Sequence, residues 1–118
     1  QNVTLLATGD IEPYAQSEIA KTFSHKVNIL KVAHHGSRYQ DFTWLSHLRP
    51  DLALISVGAG NSYGQPSPTT VAALSQLNAR ILRTDKDGAV EVKWSYDSTQ
   101  LKISINREGH SWWRVRWA

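Results

Sequence analysis

Val27-Asn28-Ile29-Leu30-Lys31-Val32-Ala33 is an apolar, β-branched run that stops on His34-His35-Gly36-Ser37. Such a run reads as a buried strand, and the polar residues after it read as the loop that ends it. The same design stands on either side. Upstream, the strand Asn2–Ala7 stops at the turn Thr8-Gly9-Asp10, and downstream, the nearly all-apolar strand Asp51–Val57 runs into the Gly/Ser/Pro loop Gly58–Pro68. A strand that apolar is expected to be covered on both faces.

Helical spacing fills the intervals. Tyr14–Phe23 has Ile19 and Phe23 on one side with Pro13 at its start, and Asp41 is placed to cap a short helix carrying Phe42, Leu45 and Leu48 before Pro50. Thr69–Ala79 reads as a third helix, and Arg80–Thr84 as a fourth strand. Asp85-Lys86-Asp87-Gly88 is a tight turn whose Asp-Gly pair favours a hairpin, so Ala89–Tyr96 and Gln100–Asn106 are expected to be antiparallel strands. The order β-α-β-α-β-α-β followed by a β-meander predicts an α/β fold with a mixed sheet and flanking helices, in one domain over residues 1–118.

The chain has 118 residues, 41% of them hydrophobic and 19% charged, enough for a modest core and too little charge for a disordered tail. With no cysteine, thiolate zinc sites, iron–sulfur clusters, disulfides and cysteine nucleophiles are excluded, and any metal must sit on His, Asp or Glu. No apolar run approaches the roughly 18 residues needed to span a bilayer, so the chain itself is expected to be soluble. The absence of methionine, position 1 included, leads to the expectation of a longer parent polypeptide.

In α/β sheets ligands bind beyond the carboxyl ends of the strands, where loops converge on a fixed frame. Three such loops carry polar or small residues here: Thr8-Gly9-Asp10, His34-His35-Gly36-Ser37, and Gly58–Ser67. An Asp and a His at neighbouring strand ends are the O and N donors a divalent cation takes when no thiolate is present. They are half of a site. If a four-ligand zinc site is worth roughly 10 to 16 kcal/mol, two ligands supply about 5 to 8, an affinity between roughly 0.1 mM and micromolar.

The blocks LLATGDIE (Leu5–Glu12), LKVAHHGS (Leu30–Ser37), LISVGAGNSYGQPSP (Leu54–Pro68) and LRTDKDGAVEV (Leu82–Val92) resemble, in order and spacing, the C-terminal half of the metallo-β-lactamase-like domain of the ComEC family of bacterial DNA-uptake channel proteins. The resemblance implies one half of an αββα sandwich with metal ligands along one edge. The family's His-x-His-x-Asp-His run is absent from this chain and would belong to a preceding half. By the resemblance Asp10 bridges two metal ions, zinc or manganese, and one of His34 and His35 completes one of them. His34 is favoured because it leaves the strand first and is better fixed, with His35 then either supporting the ligands from behind or facing substrate.

What the family implies is hydrolysis of a phosphodiester, with two cations activating a water and stabilising the attacking and leaving oxygens. The substrate is the DNA strand that is not imported, and the partners are single-stranded DNA, the preceding half-domain and the membrane channel. The whole protein would sit at the inner membrane, on its outer side. The isolated chain is then expected to bind metal weakly, to lack turnover and to self-associate. Ser37, Asn61, Ser62, Tyr63, Gln65 and Ser67 are the candidate substrate-binding residues. Many family members carry His where Gln65 and Ser67 stand, and neither an amide nor a hydroxyl can carry a proton as imidazole does. A catalytically degenerate DNA-binding or assembly module is the rival reading.

Plainer readings stand beside these. Asp10 could cap the helix that begins near Pro13, and both imidazoles could be satisfied by backbone groups. Gly58, Gly60 and Gly64 miss the dinucleotide fingerprint, and Ser37 lacks a nucleophile elbow. The C-terminal Arg107–Trp117, with Trp113, Val115 and Trp117 alternating with Arg114 and Arg116, suits either a strand packing its tryptophans or a grip on nucleic acid. His25, His47 and His110 have no motif around them.

Overall fold

The computed structural model describes residues 2–97 and 100–107. Strands β1 (Leu5–Ala7), β2 (Ile29–Lys31), β3 (Leu52–Ile55) and β4 (Arg80–Arg83) alternate with helices α1 (Pro13–Ala20), α2 (Phe42–Leu48) and α3 (Pro68–Gln76). The four strands form one parallel sheet in the order β1-β2-β3-β4. Sequential order with right-handed crossovers places the connecting helices on a single face. The core agrees: Trp44, Leu45 and Leu48 of α2 and Leu74 of α3 pack with Leu30 and Ala53 of the sheet.

The alternate residues face the other way. Ile29, Leu52 and Leu82 meet Val90, Val92 and Ile105 of a separate two-stranded antiparallel ribbon, β5 (Val90–Asp97) with β6 (Gln100–Arg107). The expectation of one mixed sheet is therefore corrected: among the described residues a parallel sheet and an antiparallel ribbon are distinct. β5 and β6 pair antiparallel as expected, but the Asp-Gly turn does not make a hairpin of the strands it joins. It ends a short helical turn, α4 (Thr84–Asp87), between β4 and β5, while the β5-to-β6 connection at 98–99 lies outside the described residues.

The reason lies in two aspartates. Arg83 donates to both carboxylate oxygens of Asp85, from Nε at 3.0 Å and from an Nη at 2.6 Å, and the Arg83 backbone N–H donates to Asp87 at 2.8 Å. That hydrogen bond to Asp85 holds the guanidinium above its usual pKa, against a smaller opposing effect of burial. Arg107 takes the other Asp87 oxygen at 2.8 Å, tying the end of the ribbon to the turn. Gly88, at φ +71°, then redirects the chain. The Trp/Arg-rich stretch after Arg107 lies outside the described residues. No described helix is long and apolar enough to cross a membrane.

Candidate active site

Because all four strands are parallel, their carboxyl ends share one edge. At β1 the buried Thr8 hydroxyl donates to the Lys31 carbonyl at 2.6 Å, and the Gly9 carbonyl accepts the His34 N–H at 2.9 Å. The two motif loops are thus bonded to each other directly. Beyond β2, Ala33–Gly36 forms a 3-10 turn in which His34 (φ 49°, ψ 47°) and His35 (φ 56°, ψ 26°) are both left-handed, followed by Gly36 at φ +75°. For a residue with a Cβ this conformation costs on the order of 1 to 2 kcal/mol, and it persists only where the surroundings over-determine it.

Here they do. The Gln40 side-chain amide donates to the carbonyls of Ala33 (3.0 Å) and Ser37 (3.1 Å), and the Gln65 amide donates to the His34 carbonyl at 3.0 Å. Thr70 Oγ1 donates to the Ser37 carbonyl at 2.7 Å, and the Ser67 N–H to the Gly36 carbonyl at 2.8 Å. Behind this clamp Gln16, fully buried, donates to Gln40 Oε1 at 3.1 Å and accepts the Asp41 N–H at 2.7 Å. Gln16 and Gln40 each use both amide hydrogens and the side-chain oxygen, which is what lets a low-dielectric network rigidify a turn.

The clamp aims two imidazoles. His35 Nδ1 lies 2.7 Å from the Ser56 carbonyl. A carbonyl only accepts, so Nδ1 carries the hydrogen and the Nε2 of the neutral ring is left with its lone pair. That Nε2 faces Asp10 Oδ1 at 3.5 Å. Two acceptors pointed at each other call for a proton or a cation between them. A backbone carbonyl fixing the far nitrogen of a histidine is the usual support of a metal ligand. His34 Nδ1 is buried without a hydrogen-bond partner and stands 3.9 Å from Glu12 Oε1. The imidazole facing Asp10 thus belongs to His35, whereas the sequence favours His34. The helix-capping reading of Asp10 does not hold: the residue before α1 is Glu12, and no side chain caps that helix.

The six candidate substrate-binding residues separate. Ser37 and Ser67 are buried, and the Ser37 hydroxyl accepts the Tyr39 N–H at 3.2 Å. Asn61 donates to Gln65 Oε1 at 3.3 Å and accepts the Tyr63 N–H at 2.8 Å, so both amides serve the loop that carries them. Ser62 and Tyr63 are exposed. Gln16, Gln40 and Thr70 are the site-supporting residues that sequence reasoning missed. Gln16 had a signal, since it falls on the same side of its helix as Ile19 and Phe23, where a buried amide needs partners. Nothing in the sequence marks Gln40.

Among the described residues no group of three or more His, Cys, Asp or Glu converges to hold a metal ion. The chain is 33% identical over 91 residues to ComE operon protein 3 of Bacillus subtilis, a match covering 75% of the chain and 12% of that protein. It is 32% identical over 114 residues to Recombination protein 2 of Haemophilus influenzae, covering 96% of the chain and 14% of that protein. The chain is homologous to one segment of each. No family model matches it, and no solved structure does. The first of these matches covers less of the chain than the second, which extends over nearly all of it.

Proposed function

We propose that the chain is the C-terminal half of a metal-dependent phosphodiesterase domain that cuts DNA during uptake, built on a metallo-β-lactamase-type sandwich in a membrane-associated protein. The observation that carries the reading is the Asp10 carboxylate facing the His35 Nε2 lone pair at 3.5 Å, with the ring held from behind by the Ser56 carbonyl. The donor set fits a borderline or hard divalent cation, zinc or manganese, with further donors from the preceding half. The unpartnered Nδ1 of His34 is a second nitrogen at the same edge, and Glu12 a second carboxylate.

When bound, such cations lower the pKa of water and stabilise charge on a phosphodiester. The residues of this chain have three tasks in that scheme. Asp10 offers exposed negative charge to a cation. Ser56 sets the His35 tautomer. The clamp around Ala33–Ser37 fixes where both rings point. A relative named for recombination supports a nucleic-acid substrate.

A second reading, a DNA-binding or assembly module without catalysis, is favoured by the Gln65 amide, bonded within the molecule where many family members place a histidine. Joining the preceding half to this chain and assaying single-stranded DNA cleavage with manganese or zinc separates the two. Cleavage lost in Asp10→Ala supports the enzyme. Cleavage no greater than that of Asp10→Ala removes it. The presence or loss of a His-x-His-x-Asp-His run in that half points the same way.

A further inference from the structure

The edge that carries Asp10 and His35 also carries most of the exposed aromatic surface among the described residues. Tyr14 is 79% exposed, Tyr63 85%, Tyr39 53% and Phe42 38%. The remaining large exposed aromatics, Trp94 and Tyr96, lie on β5 of the ribbon. Topology explains the grouping. In parallel βα units each helix begins at the edge where its strand ends. Tyr14 sits in the first turn of α1, Phe42 opens α2, Tyr39 follows the histidine turn, and Tyr63 is in the loop between β3 and α3.

Single exposed aromatics are ordinary, but several gathered on one rim beside a polar site indicate a ligand with flat apolar faces. Charge narrows the class. The Arg38 guanidinium lies over the Tyr39 ring, 4.9 Å from its centroid, and donates to the Tyr39 hydroxyl at 2.7 Å. No described carboxylate pairs with Arg38, so its charge is available to an anion. Flat faces alternating with phosphates describe a single strand of nucleic acid. In a duplex the base faces are already stacked and withheld.

We infer that Tyr14, Tyr39, Phe42 and Tyr63 form a base-stacking rim around the carboxyl-edge site, on which a single strand is held without sequence preference while Arg38 contacts its phosphates. This deepens the proposed function by naming how its substrate is gripped. Stacking needs no cation, so it is testable apart from cleavage.

The test is fluorescence anisotropy of the 118-residue chain in EDTA with a labelled oligodeoxythymidylate of about 12 nucleotides, a length matched to known single-strand sites. Each lost stack weakens binding about fivefold or more. The triple variant Tyr14→Ala/Tyr39→Ala/Tyr63→Ala is therefore expected to bind about 100-fold more weakly, with its thermal melting unchanged because all three side chains are exposed. An abasic strand of the same length should bind the parent chain at least as weakly as the thymidylate binds the variant, and the variant, left with Phe42 alone, should distinguish the two strands by no more than a single stack. Arg38→Gln should lower the salt slope by about one, whereas the aromatic variants leave it unchanged.

Equal binding by parent and triple variant overturns the inference. So does a loss that appears equally on the abasic strand, or binding to anionic phospholipid vesicles with none to the oligonucleotide. Failure here leaves the phosphodiesterase reading standing, and absence of cleavage in the joined domain leaves the rim standing.

Discussion

Replacing Gly36 by alanine tests whether the loop after β3 really closes on the histidine turn. A Cβ built at Gly36 would lie 2.8 Å from Pro66 Cβ, 3.3 Å from Pro66 Cα and 3.4 Å from Ile55 Cγ2, at a φ of +75°. The nearest atom belongs to a ring anchored in the backbone, so it cannot swing aside like the tip of a lysine. The left-handed backbone costs on the order of 1 to 2 kcal/mol for a residue with a Cβ. Overpacking adds about 1 to 3 kcal/mol, and the stiffer unfolded chain returns about 0.4 to 1 kcal/mol. The net loss is about 1 to 5 kcal/mol, a large part of the roughly 5 to 15 kcal/mol that stabilises a domain. In urea, with a slope of about 2 kcal/mol/M, the unfolding midpoint should fall by about 0.5 to 2.5 M. Gly58→Ala is the control, because its Cβ would have nothing within 4 Å and its φ is not left-handed, so its midpoint should hardly move. A Gly36→Ala midpoint as high as that of Gly58→Ala would refute the close approach of Pro66 and with it the clamp.

The clamp and the β4 turn make further predictions. Gln40→Leu removes the donor to the Ala33 and Ser37 carbonyls and should cost about 2 to 4 kcal/mol in urea unfolding, with faster hydrogen exchange at the His34 and Ser37 amides; a loss under about 1 kcal/mol would mean the network is not holding the turn. Asp85→Ala strips Arg83, whose side chain is 21% exposed, of its acceptor and should cost about 1 to 3 kcal/mol. The sign with pH follows from the raised Arg83 pKa. A raised pKa gives stability that is complete below the ordinary arginine value and is lost only as pH rises through the folded value. The difference between parent and Asp85→Ala should therefore be flat between about pH 6 and 9, and a steep dependence there would contradict an arginine origin.

Much of this molecule is legible in its residues, for reasons that can be named. The apolar runs before Thr8, His34 and Gly58 read as strands because each ends on residues that cannot continue a buried ladder. Asp41 reads as a cap, and its Oδ1 accepts the Trp44 N–H at 3.0 Å. The sheet's division was not legible: Asp87-Gly88 announces a turn without saying which strands it joins, and Asp87 is shared between the neighbouring Arg83 backbone and Arg107, twenty residues on, a partner no local pattern names. The order of the imidazoles was hidden for a different reason. Side-chain direction alternates predictably along a strand, but β2 ends at Lys31, and the left-handed pair that follows turns His35 toward Asp10. No periodicity encodes two successive positive φ angles in histidines. They depend on Gln40, Gln65 and Thr70 reaching the turn from other elements.

The central claim is that Asp10 and His35 Nε2 are poised to share a divalent cation, with the His35 Nδ1 hydrogen committed to Ser56. Imidazole nitrogen chemical shifts, followed by NMR at about pH 8, report it directly during a zinc titration. The His35 ring is expected to be protonated at Nδ1 before zinc. Its Nε2 then shifts with half-saturation between roughly 1 µM and 0.1 mM, Nδ1 stays protonated throughout, and Asp10→Ala abolishes the response. A His35 Nε2 resonance indifferent to zinc, or a hydrogen found on Nε2 in the free chain, would contradict it.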